Sequence, residues 1–187
     1  MDRITEADLY RYDGLKGCRG FLKGLLDPGF RYTFLLRKVM AHRSESIPGF
    51  FFRVIKRLFT YRGYHINNKA RIGEGFSLYH RGTVYIGPIK IGKYCTVAHN
   101  VTIGRSLKEG KIGRPTIGDY VWIGTGAVIV GDITIGNNVM IAPNAFVNFD
   151  IPDNSLVIGN PGKIIRKRNP TRYYISYVLE DVSKSLD

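Results

Sequence analysis

Aliphatic residues recur every six positions through the middle of the chain. Ile66, Ile72, Leu78 and Val84 set the step; one additional residue falls around Pro88, and the count resumes at Ile91, Val97 and Ile103. A longer insertion follows, and the step returns at Ile117, Ile123, Ile129, Ile135, Ile141 and Val147. Thirteen positions keep the rule over 82 residues. Glycine often comes next (73, 92, 104, 118, 124, 136), and a small or aliphatic residue often lies four further on (Ala70, Cys95, Val101, Val121, Ala127, Val139, Ala145). Six is neither a helical period nor a simple alternation. It suits a short strand followed by a corner. Three such units close a coil of about 18 residues with three flat sides, aliphatic residues stacked inside and glycine easing the corners. The pattern predicts a mainly β chain wound as a parallel β-helix.

The first 64 residues follow another rule. Thr5 with Asp8 reads as a helix start, and Asp27-Pro28-Gly29 and Ile47-Pro48-Gly49 read as breaks. Phe30 to Arg43 carries apolar residues at helical spacing. Phe50 to Tyr61 sets Phe51, Val54, Ile55, Leu58 and Phe59 on one face and Arg53, Lys56 and Arg57 on the other. The first expectation is that this apolar face packs on the next domain or on a neighbouring subunit. The alternative is peripheral contact of residues 50–62 with an anionic membrane. The organisation expected is a helical segment over 1–64, a repeat domain over 65–165 and a basic tail over 166–187.

Composition narrows the class. Hydrophobic residues make up 44% of the 187 and charged residues 23%, which supports a packed core. No run is long and apolar enough for a membrane span, the N-terminus lacks a secretory signal, and two cysteines make no disulfide framework, so a cytoplasmic protein is expected. The net charge of +13 is uneven: residues 1–64 hold 13 basic and 6 acidic residues, and residues 65–162 hold 9 and 6. With no recognised nucleic-acid motif, this distribution argues against a nucleic-acid partner. Cys95 falls at an inward small position and reads as core.

Coil arithmetic places candidate chemistry. Leu78, Val97, Ile123 and Ile141 begin equivalent sides of successive coils. Two residues on, His80, His99, Thr125 and Pro143 should stack along one edge, roughly 5 Å apart.

The stretches ARIGEGFSLYHRGTVYIG, IGKYCTVAHNVTIG, PTIGDYVWIGTGAVIVGDITIG and VIGNPGKII resemble the left-handed β-helix acyltransferases, most of all their serine acetyltransferase branch. The resemblance spans about residues 64–165. It implies a left-handed coil, a homotrimer with active sites between subunits, and acetyl-CoA as acyl donor with no metal required. His80 matches the catalytic histidine, a general base suited by its pKa. An oxyanion donor is expected from a backbone N–H near a corner glycine. Gly104, Gly124, Thr125 and Pro143 match positions lining the pantetheine arm, and Lys163 and Arg166 are placed to meet the CoA phosphates. The loop from Arg105 to Arg114 would close over a neighbouring site.

The sequence also departs from that branch. His65 stands where the branch has the aspartate that orients the histidine. Tyr79 replaces a substrate-binding aspartate, and Gly113-Arg114 replaces an Arg-His pair. Tyr79 and Arg114 are therefore read as binding a different acceptor, with His65 and His99 as further functional histidines. The expectation drawn is O-acetylation of a hydroxyl on a sugar of a surface polysaccharide or its precursor, as in the O-acetyltransferases that such short chains resemble. Serine O-acetylation for cysteine synthesis is the alternative. A zinc hydratase on this scaffold would need three converging histidines, and the spacing of His65, His80 and His99 argues against it.

Overall fold

The computed structural model describes residues 1–42, 46–60, 63–108 and 111–179. Arg43 at the end of the expected third helix, residues 61–62 of the basic helix, the tip of the 105–114 loop and the tail beyond 179 lie outside the described residues.

A parallel β-helix of about five turns forms the body. Coil one comprises β1 (Tyr64–Ile66), β2 (Arg71–Ile72) and β3 (Ser77–Leu78); coil two comprises β4 (Val84–Ile86), β5 (Lys90–Ile91) and β6 (Thr96–Val97). Coil three starts with β7 (Val101–Gly104), leaves the solenoid as an antiparallel ribbon of β8 (Ser106–Lys108) and β9 (Lys111–Gly113), and returns as β10 (Thr116–Ile117) and β11 (Trp122–Ile123). Coil four is β12 (Val128–Val130), β13 (Thr134–Ile135) and β14 (Val139–Ile141). Coil five is β15 (Phe146–Val147), a bridge at Ile151, and β16 (Ser155–Ile158), against which β17 (Lys163–Arg166) turns back antiparallel.

The inward ladders are those the period predicts, with one correction. Leu78, Val97, Ile123 and Ile141 pair in register, as do Ile72, Ile91, Ile117 and Ile135. On the third side, however, Ile66 pairs with Ile86 and not with Val84. The irregularity therefore begins at the corner after Leu78, where two additional residues are spent before Ile86, and is partly made up by a short step to Ile91. His80 occupies that enlarged corner.

Four helices close the first coil. They are α1 (Arg3–Tyr10), α2 (Gly17–Gly24), α3 (Pro28–Ala41) and α4 (Ile47–Phe59). Asp2, not Thr5, caps α1, its carboxylate accepting from the Thr5 N–H and hydroxyl; Asp27 and Ser46 cap α3 and α4. A solenoid end presents unpaired backbone groups that must find partners. Here the helices supply them. The Ile66 N–H donates to the Tyr32 hydroxyl, the Leu78 N–H to the Tyr12 hydroxyl, and the Phe76 N–H to the Asp8 carboxylate. Arg37 donates to the Ile72 and Gly73 carbonyls and pairs with Asp8 at 3.0 Å. Tyr32 and Leu36 extend the aliphatic core into α3.

The apolar face of the basic helix does not pack on the repeat domain of its own chain. Its apolar residues Phe50, Phe51, Val54, Leu58 and Phe59 are exposed, while Phe52 stacks on His42 and Lys56 lies over the Tyr32 ring. Among the described residues no helix is long and apolar enough to cross a membrane.

Candidate active site

The edge between β3, β6 and β11 and the strands that follow them brings together three of the residues expected there. His80 sits at φ +63°, a left-handed conformation uncommon outside glycine. Its carbonyl accepts from the Tyr64 hydroxyl at 2.9 Å, and the preceding Tyr79 N–H is bonded to the Val97 carbonyl. This fastens the corner on both sides and leaves the imidazole exposed. One coil on, the His99 ring stands edge-on to that of His80, with centroids 5.8 Å apart and an interplanar angle of 79°. One coil further, the Thr125 hydroxyl lies 3.3 Å from His99 Nδ1. Gly82 makes this stacking feasible, because a Cβ there would come within 2.5 Å of the His99 Cβ.

Tyr79 leans over His80 with ring centroids 4.0 Å apart and is half exposed. Pro143 is exposed one coil beyond Thr125, as the register requires. Gly104 ends β7, and a Cβ there would meet only Tyr85 at 3.9 Å, so the space beside it is open. Gly124 is constrained differently: a Cβ would lie 2.6 Å from the Pro143 nitrogen, so coil stacking alone demands glycine there. The N–H groups of Gly124 and Gly126 are bonded to the carbonyls of Ile141 and His99, so neither corner donor is left for an oxyanion.

His65 is not brought onto the edge. It lies in β1 on the outer side, opposite Tyr85, and lines a cleft of about 720 Å³ beneath α4 with Lys56, Arg53 and Lys69. No hydrogen bond joins it to His80 among the described residues. Among the described residues there is also no group of three or more His, Cys, Asp or Glu placed to hold a metal. Lys163 and Arg166 are exposed on β17, and Arg166 donates to the Asp153 carbonyl. Arg114 is exposed just after β9. Cys95 is fully buried, and burial pushes its thiol up to about 12.

Two features escaped sequence reasoning. Tyr64 anchors the His80 corner across 16 residues, and Lys56 lies in the cleft, where burial lowers its ammonium to about 8. Only the odd polar heads of an aromatic at an inward position and of a lysine on the seated helix face hinted at either.

Residues 114–148 match the family described as bacterial transferase hexapeptide (six repeats). The chain is 34% identical to a serine acetyltransferase of Helicobacter pylori over 146 residues, 76% of this chain and 84% of that protein. It is 38% identical over 144 residues to a serine acetyltransferase of Synechococcus elongatus, covering 74% of this chain but 57% of that one. Among solved structures, serine acetyltransferase of Neisseria gonorrhoeae superposes with a TM-score of 0.70 at 30% identity, covering 99% of this chain and 70% of the other. The chain thus spans little more than half the length of the cyanobacterial relative. These likenesses overturn the expected sugar acceptor. The relatives and the structure named here are serine acetyltransferases, which favours the alternative. The three altered positions His65, Tyr79 and Arg114 therefore do not outweigh the similarity of the whole.

Proposed function

The chain belongs to the serine acetyltransferase family, and from that premise we propose that it transfers the acetyl group of acetyl-CoA to the hydroxyl of serine. The observation that carries the reading is the edge on which His80, His99 and Thr125 stack in register at successive corners.

In the proposed step an imidazole nitrogen of His80 accepts the proton of the serine hydroxyl as its oxygen attacks the thioester carbonyl. The new C–O bond gives a tetrahedral intermediate. The C–S bond then breaks, and the proton passes from His80 to the departing thiolate. The products are O-acetylserine and free CoA, and no acyl-enzyme forms. His99, in contact with Thr125, stands beside His80 on the same edge. The open side of Gly104, with Thr125 and Pro143, takes the pantetheine arm, and Lys163 and Arg166 meet the phosphates. Tyr79 and Arg114 are assigned to the acceptor, and His65 to a supporting place on the adjoining face. Residues 65–165 form the transferase unit, 1–64 its cap, and the assembly is a homotrimer in the cytoplasm. Support for acetyl-CoA and serine comes from family membership and from structures of serine acetyltransferases in complex with serine and with coenzyme A.

The test is release of free CoA from acetyl-CoA with L-serine, D-serine, threonine, homoserine and simple sugars as acceptors. L-serine is expected to be the best acceptor by a wide margin. No turnover with L-serine, or equal turnover with water alone, overturns the reading. Light scattering at three times the chain mass checks the trimer.

A further inference from the structure

Helix α4 turns its apolar side away from the protein. Ile47, Phe50, Phe51, Val54 and Leu58 follow one another at helical spacing and form one stripe, with Phe50 64% and Leu58 68% exposed. The opposite side is already occupied. Phe52 stacks on His42 at 5.4 Å, and the Lys56 ammonium stands 4.7 Å from the centre of the Tyr32 ring. The stripe is therefore not a core face that awaits the solenoid.

Charge selects what covers it. Arg57 follows Val54 by three residues and Phe50 by seven, so it borders the stripe, and Arg53 lies one turn before it. The helix carries three cations and no acid. Two copies meeting face to face through this stripe would set like charges together with no carboxylate on either helix to pair with them. A lipid surface answers both features: the acyl boundary takes the stripe, and the phosphates take the Arg57 guanidinium. At 13 residues the helix is too short to span and would lie in the plane of the surface. The basic excess of residues 1–64 adds attraction of the same sign.

We propose that α4 is an interfacial helix that docks this protein on an anionic lipid surface through Phe50, Phe51, Val54 and Leu58, with Arg57 against the lipid phosphates.

The experiment is co-sedimentation of the full chain with vesicles of phosphatidylcholine alone and with phosphatidylglycerol in equal parts. Binding is expected to the anionic vesicles, to weaken with added salt, and to fall roughly tenfold or more when Phe50, Phe51 and Leu58 are together replaced by serine. Arg57→Gln, which leaves the stripe intact, should weaken it by about fivefold. Three results overturn the proposal. The chain stays in the supernatant with anionic vesicles, or it binds neutral vesicles equally, or the triple serine variant lowers the solution mass without lipid. The last would assign the stripe to a second copy of the chain. None of these readouts depends on the proposed acetyl transfer.

Discussion

The ring of His99 meets that of His80 edge-on at 5.8 Å, and its Nδ1 lies 3.3 Å from the Thr125 hydroxyl, so one polar contact holds the wall against which His80 works. His80→Ala is expected to lower kcat by about 10²–10⁴, the usual range for a lost general base. Thr125→Val, which removes one neutral hydrogen bond of about 1 kcal/mol, should cost about fivefold. Steady-state CoA release at saturating substrate distinguishes them. If Thr125→Val were as damaging as His80→Ala, the histidine roles assigned here would be reversed.

Asp8 joins three parts of the protein: its carboxylate accepts the Phe76 N–H of the first coil and pairs with Arg37 of α3, and it is 1% exposed. Burial pushes the carboxyl up although Arg37 pulls it down. Asp8→Ala leaves Arg37 uncompensated and is expected to cost about 3–5 kcal/mol. Asp8→Asn also leaves Arg37 without a countercharge but keeps the side-chain volume and an acceptor for Phe76, so its loss should be smaller by about the 1 kcal/mol of one hydrogen bond. Urea unfolding of both variants tests the order. Equal losses would mean that charge pairing with Arg37, not shape or the bond to Phe76, fixes the helices on the coil.

Much of this fold was legible because an inward aliphatic every six residues has few geometric solutions, and the register of Leu78, Val97, Ile123 and Ile141 followed from counting. Val84 misled because Val84 and Ile86 are both aliphatic, both buried and two apart, so pattern alone could not say which pairs with Ile66. The bonds from Tyr64 to His80 and from Tyr12 to Leu78 join residues 16 and 66 apart, beyond any local period. For α4 the amphipathic pattern defined two faces but not which would meet the coil. Lys56 and Phe52 took that side because the lysine stem and its ammonium could rest on the Tyr32 ring. The edge histidines were found by arithmetic, whereas the acceptor depended on three altered side chains that arithmetic does not interpret.

The two cysteines should differ sharply toward alkylation. Cys18 is exposed on α2, whereas Cys95 is fully buried, its thiol donating to the Gly118 carbonyl and pushed up to about 12. At pH 8 only about one Cys95 thiol in 10⁴ would be ionised, and the thiolate is the reacting form. Iodoacetamide is expected to add once to the native protein and twice in denaturant. Intact mass reads the number. Rapid double labelling of folded protein would show that Cys95 is reachable and not core.

Lys56 gives stability a pH signature of its own. Burial holds its ammonium at about 8 against an ordinary 10.5, despite the favourable Tyr32 ring 4.7 Å away. Arg53, His65 and Lys69, which share its cleft, add no negative charge. Between pH 8 and 10.5 the folded chain has released this proton while the unfolded chain keeps it, so rising pH favours the fold across that window. Below pH 8 the folded protein carries the penalised charge in full. Lys56→Met removes the penalty and should stabilise the protein at pH 7 by about 1 kcal/mol, a value reduced for the solvent that still reaches the ammonium. That advantage should shrink as pH rises from 8 to 10.5, where the wild-type lysine is already neutral in the fold. Urea midpoints of both proteins at pH 7 and pH 10 measure it, and tyrosine ionisation common to the two cancels in the difference. An advantage of the same size at both pH values would mean that Lys56 titrates normally and that any gain from methionine is packing alone.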